Sequence, residues 1–166
     1  RRRHSFPTRR SSDLDVAVET AGTVFNANNQ QLVFENKTTI SGSGTGSGDI
    51  VRFNNVITIG GQAIDAVVTT TLAGATVSTY DGVQAGGPTN FFGPSLSITQ
   101  PTNVGDLNGV RFNIDFYLGG TYTAPGTGTA VTLQNVVVNS YDIDSVNGTS
   151  SDRQAQVFKG FARYEL

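Results

Sequence analysis

Val110-Arg111-Phe112-Asn113-Ile114-Asp115-Phe116-Tyr117-Leu118 alternates apolar and polar side chains along its length. Successive side chains of an extended chain point to opposite faces, so Phe112, Ile114, Phe116 and Leu118 share one face, and Arg111, Asn113, Asp115 and Tyr117 the other. A strand with one face on a core and one toward water has this pattern. Gly119-Gly120 ends it.

The same period extends outward. Residues 50–59 and 62–72 read as paired strands joined by Gly60-Gly61, since two glycines supply the positive φ of a tight hairpin turn. Further strands are expected at residues 31–35, 75–80, 95–99, 129–143 and 155–166. In residues 129–143, Val131 and Leu133 share one parity and Val136 and Val138 the other, which calls for a bulge near Gln134-Asn135. No segment holds a helical repeat over three turns. About seven or eight short strands with frequent turn residues predict an all-β fold, a two-sheet antiparallel β-sandwich of jelly-roll type. Residues 41–48, Ser-Gly-Ser-Gly-Thr-Gly-Ser-Gly, have the composition of a flexible connector. They either divide residues 15–48 from a main module at 49–166 or form a long inter-strand loop.

The first fourteen residues stand apart. A basic arm for nucleic acid would use their charge, and a secretory leader would need an apolar stretch that does not follow. Residues 4–14, His-Ser-Phe-Pro-Thr-Arg-Arg-Ser-Ser-Asp-Leu, resemble the translation of a short-read sequencing adapter at every position, so residues 1–14 are read as non-native and disordered. Without them the formal charge changes from −2 to −6, because five arginines and Asp13 leave and six basic and twelve acidic residues remain. An acidic domain with scattered basic residues argues against a nucleic-acid partner. No apolar run reaches the roughly 18 residues of a membrane helix, so membrane insertion is not expected. With no initiator Met, the chain reads as a fragment of a longer gene.

Chemistry is bounded by what is missing. Cys is absent and the single histidine is His4, so residues 15–166 lack a Ser-His-Asp triad, a Cys-His pair and the usual zinc ligands. Residues 42–48 are glycine-rich but lack the lysine of a phosphate loop. Asp142 and Asp144 would share a strand face about 6–7 Å apart. Such a pair is either a solvated acidic turn, a set of backbone acceptors, or a calcium site completed by the loop as far as Asp152. Asp65 and Asp115 are read as outward-facing and solvated, near Arg52 or Arg111. Asp81 reads as a turn residue or, alternatively, a second calcium ligand. Tyr117, Tyr122 and Tyr141 are candidates for a sugar-stacking surface.

The runs at 109–116, 131–133, Tyr141-Asp142-Ile143-Asp144 and Phe161-Ala162-Arg163-Tyr164 resemble β-sandwich modules of large bacterial secreted and cell-surface, adhesin-like proteins. The resemblance implies a secreted or surface setting, a non-catalytic role as spacer or adhesion unit, neighbouring domains of the same chain, a glycan or a surface protein as partners, and calcium at Asp142 and Asp144. Ser145 departs from the Gly or Asp common at that place. The alternatives are a carbohydrate-binding module of a secreted enzyme and, third, a glycosidase working on carboxylates alone.

Overall fold

The structure, a computed structural model, describes residues 22–80, 90–99 and 108–138, with Val157 and Lys159. These residues are all-β, with eight strands and no helix among them: β1 (Thr23–Asn26), β2 (Lys37–Ser41), β3 (Ile50–Ile59), β4 (Gln62–Ala73), β5 (Ala75–Thr79), β6 (Ser95–Ile98), β7 (Gly109–Leu118) and β8 (Ala130–Gln134). Six form one sheet in the order β1-β8-β7-β4-β3-β2, and β5 and β6 pair separately.

The β3–β4 hairpin turns at Gly60 and Gly61, with φ of +58° and +80°, and Ile59 faces Gln62 across it. Both turn residues take positive φ, which matches the right-handed twist of the strands. β7 pairs with β4 along its whole length, Gly109 facing Ala73 and Leu118 facing Ile64. The predicted alternation places Phe112, Ile114, Phe116 and Leu118 against the buried cluster formed by Val51, Phe53, Ile64, Ala66 and Val68. Phe53, fully buried, meets Phe34, Tyr80 and Phe92 with ring centroids 5.3–6.3 Å apart. Burial of such a side chain is worth about 2–3 kcal/mol. Val77 of β5 and Tyr80 join this core. The Tyr80 hydroxyl hydrogen-bonds Thr70, and burial pushes its pKa up.

Four expectations need correction. The large sheet is mixed, since β1 runs parallel to β8 while its other pairings are antiparallel. Residues 31–35 form no strand: Val33 donates to the Val56 carbonyl and Phe34 to that of Asn90, so an extended segment drapes Leu32 and Phe34 over the core without a ladder. Of the run expected at 129–143, β8 ends at Gln134 and residues 135–138 form no strand, because Asn135 takes a φ of +54°, while residues 139–143 lie outside the described residues. That left-handed residue changes the parity between Leu133 and Val136. Asp65 is not solvated, for a reason given below.

Ser41 ends β2, and residues 42–48 run between β2 and β3 as an inter-strand loop. The carboxylate of Asp49 organises it: Oδ2 accepts from Ser43 Oγ (2.8 Å), Gly44 N (2.7 Å) and Gly46 N (2.7 Å). Gly42 has a φ of +76°, and a Cβ there would lie 1.8 Å from Asp49 Oδ1. The glycines are thus demanded by the approach of backbone to carboxylate. Hydrogen bonds from Gly46 and Ser43 hold the Asp49 pKa below its ordinary value. The expected strand at 155–166 lies almost wholly outside the described residues.

Candidate functional site

The face of the large sheet opposite the core carries Arg52 of β3, Asp65 and Val67 of β4, and Arg111, Asn113, Asp115 and Tyr117 of β7. Arg52 pairs with Val67, Val67 with Asp115, and Asp65 with Tyr117. A bulge in β3 shapes one end of this face. The register slips between Phe53 and Ile57, Asn55 turns left-handed at φ +52°, and its N–H leaves the ladder. Asp65 Oδ1 accepts that N–H at 2.8 Å.

The other carboxylate oxygen holds a second loop. Asp65 Oδ2 accepts the Gly120 N–H at 2.8 Å, while Arg52 Nη1 donates to the Tyr122 carbonyl at 2.5 Å. Residues 119–129 therefore fold back over the outer face. Asp65 and Val67 are each 2% exposed beneath them, which is why a carboxylate on the solvent side of the sheet is buried. Arg52 Nε lies 3.8 Å from Asp65 Oδ2 with no hydrogen-bond partner among the described residues. The loop staples itself: Thr127 Oγ1 accepts from Thr123 N and Ala124 N, and Thr121 Oγ1 accepts from Thr129 N.

Tyr117 and Tyr122 come together, ring centroids 4.6 Å apart and tilted by 52°. Tyr122 is buried and Tyr117 half-buried, so Tyr117 is the accessible ring of the pair. Burial pushes the Tyr117 phenol up, reinforced by Asp115 and Tyr122. Burial also raises the Asp115 carboxyl, against the hydrogen bond from Asn113 Nδ2 at 2.6 Å.

At the far end of this face Ala73 lies opposite Gly109, where an added Cβ would meet nothing within 4 Å. Two small residues at a ladder end leave an open cleft of about 260 Å³, lined by Thr71, Ala73, Asn108, Gly109, Val110 and Arg111. The Asn108 amide donates to the Thr99 carbonyl at 2.7 Å. Arg111 is exposed, with neither Asp65 nor Asp115 as its ion-pair partner.

Tyr141, Asp142, Asp144, Asp152 and Asp81 lie outside the described residues. Among the described residues no three His, Cys, Asp or Glu side chains cluster as a metal site. Sequence reading missed the loop-holding roles of Asp49 and Asp65. The available signals were an aspartate closing a Gly-Ser run, and an Asn-Asn pair interrupting the alternation of β3 opposite an aspartate. No protein-family model, curated protein or solved structure matches this chain.

Proposed function

We propose that this chain is a non-catalytic β-sandwich module of jelly-roll type, a structural spacer or adhesion unit of a larger bacterial secreted or cell-surface protein. One observation carries the reading. Asp49 and Asp65, the buried carboxylates among the described residues, are both taken up by backbone N–H groups of loops. The amide hydrogen bonds fix each carboxylate and stiffen the loop it holds, and at Asp49 they also keep the pKa below its ordinary value. Rigid loops at a sheet's ends suit a spacer. The second sheet of the sandwich would build on the β5–β6 pair, whose Val77 reaches the common core.

Calcium at Asp142, Asp144 and Asp152 belongs to this reading, as does export to the cell surface. Calcium binding predicts a melting temperature that rises with added Ca²⁺, falls with chelator and ceases to respond in the Asp142→Asn/Asp144→Asn double variant. An unresponsive wild type removes the metal from the proposal. The spacer role is tested by joining three copies in tandem and measuring small-angle X-ray scattering. A maximum dimension that grows in proportion to copy number is expected, and collapse to a compact particle contradicts it.

Carbohydrate recognition is the second reading, favoured by the cleft at Ala73 and Gly109 that Arg111 helps to line. It predicts glycan-array binding that Arg111→Gln weakens. Binding indifferent to that substitution argues against the cleft.

A further inference from the structure

We infer that the β1–β8 pair is a mechanical clamp, so that the module resists tension applied along these two strands. The inference takes its biological meaning from the spacer reading, but its physics depends only on the ladder. β1 and β8 are adjacent and parallel, with Thr23 facing Val131, Val24 facing Thr132, Phe25 facing Leu133 and Asn26 facing Gln134. Tension that pulls β1 toward its N-terminal end and β8 toward its C-terminal end acts in opposite directions along parallel neighbours. The ladder is then sheared, and its hydrogen bonds share the load. Pulled from one end, the same pair would open one bond at a time.

The ladder continues past the strands. Ala27 N donates to the Gln134 carbonyl (2.9 Å), Asn29 N to that of Asn135 (3.0 Å), and Asn135 Nδ2 to Asn26 Oδ1 (2.9 Å). β1 is also anchored sideways, since Phe25 packs on the core and Ala27 is fully buried within it. Sliding β1 along β8 would drag both from the core as the bonds break.

The absence of cysteine makes the test direct, because introduced cysteines become unique handles. Thr23, Thr129 and Val137 are exposed. Thr23→Cys/Val137→Cys loads the pair in shear, and Thr23→Cys/Thr129→Cys peels it from one end. Both are made in the full chain and stretched by single-molecule force spectroscopy, with Val24→Cys as a second β1 handle should Thr23→Cys alter the melting temperature. Because several backbone bonds of about 1 kcal/mol each break together in shear and singly in peeling, the shear pair should unfold at a force at least about twofold higher. Equal forces, or a stronger peel geometry, overturn the clamp. That outcome would leave the spacer reading to the scattering of tandem copies, whereas a rod that yields easily would fail the clamp alone.

Discussion

Asp65 occupies a position that alternation assigns to solvent, yet it is buried with both oxygens engaged by backbone N–H groups. Asp65→Asn keeps the shape but presents an NH₂ group to one of those donors. Leaving a buried donor unmet costs about 1–3 kcal/mol, so urea denaturation should show a loss of that order. Asp49 behaves differently with pH. Its folded pKa lies below the ordinary 3.8, so the unfolded chain binds its proton more readily. The stability it contributes is present above that ordinary value and is lost as pH falls through the lower folded value. Acid titration of stability should therefore be shallower in Asp49→Asn than in the wild type. Asp115 has the opposite sign, because its pKa is raised and its charged form is disfavoured by folding. Asp115→Asn should stabilise the protein slightly at neutral pH, an effect kept small by the exposure of this side chain.

Among the elements, β7 was legible because its burial alternates with a period of two, and the β3–β4 hairpin because Gly60 and Gly61 mark its turn between two apolar-rich runs. The features that escaped reading arise from contacts distant in sequence. β1 and β2 are four and five residues long, and their pairing partners, not their composition, make them strands. Residues 42–48 have a linker's composition but an ordered loop's structure, because the carboxylate that orders them follows directly as Asp49. The site was only partly legible: Tyr117 and Tyr122 meet, as two rings chosen for one surface would, but the loop that buries Tyr122 depends on Asp65, 55 residues away from Gly120. Two glycine substitutions test the distinction between needed conformation and needed space. Gly60→Ala suffers only a positive φ in open surroundings and should cost about 1 kcal/mol. Gly42→Ala adds a collision with Asp49 to a positive φ and should lower the melting temperature considerably more.

For the whole molecule, the described sheet spends its polar groups on its own loops. The Asp49 carboxylate fastens the β2–β3 connection and the Asp65 carboxylate fastens the loop that leads from β7 to β8. Loops tied in this way should be as slow to open as the strands they join, which is the property a spacer requires. Native-state amide hydrogen exchange followed by NMR tests this most directly. The N–H groups of Gly44, Gly46, Asn55 and Gly120 should show protection comparable to the central strand β4, and in Asp49→Asn and Asp65→Asn the protection should fall at the amides each carboxylate holds. Exchange at these four amides as fast as in an unstructured peptide would contradict the account.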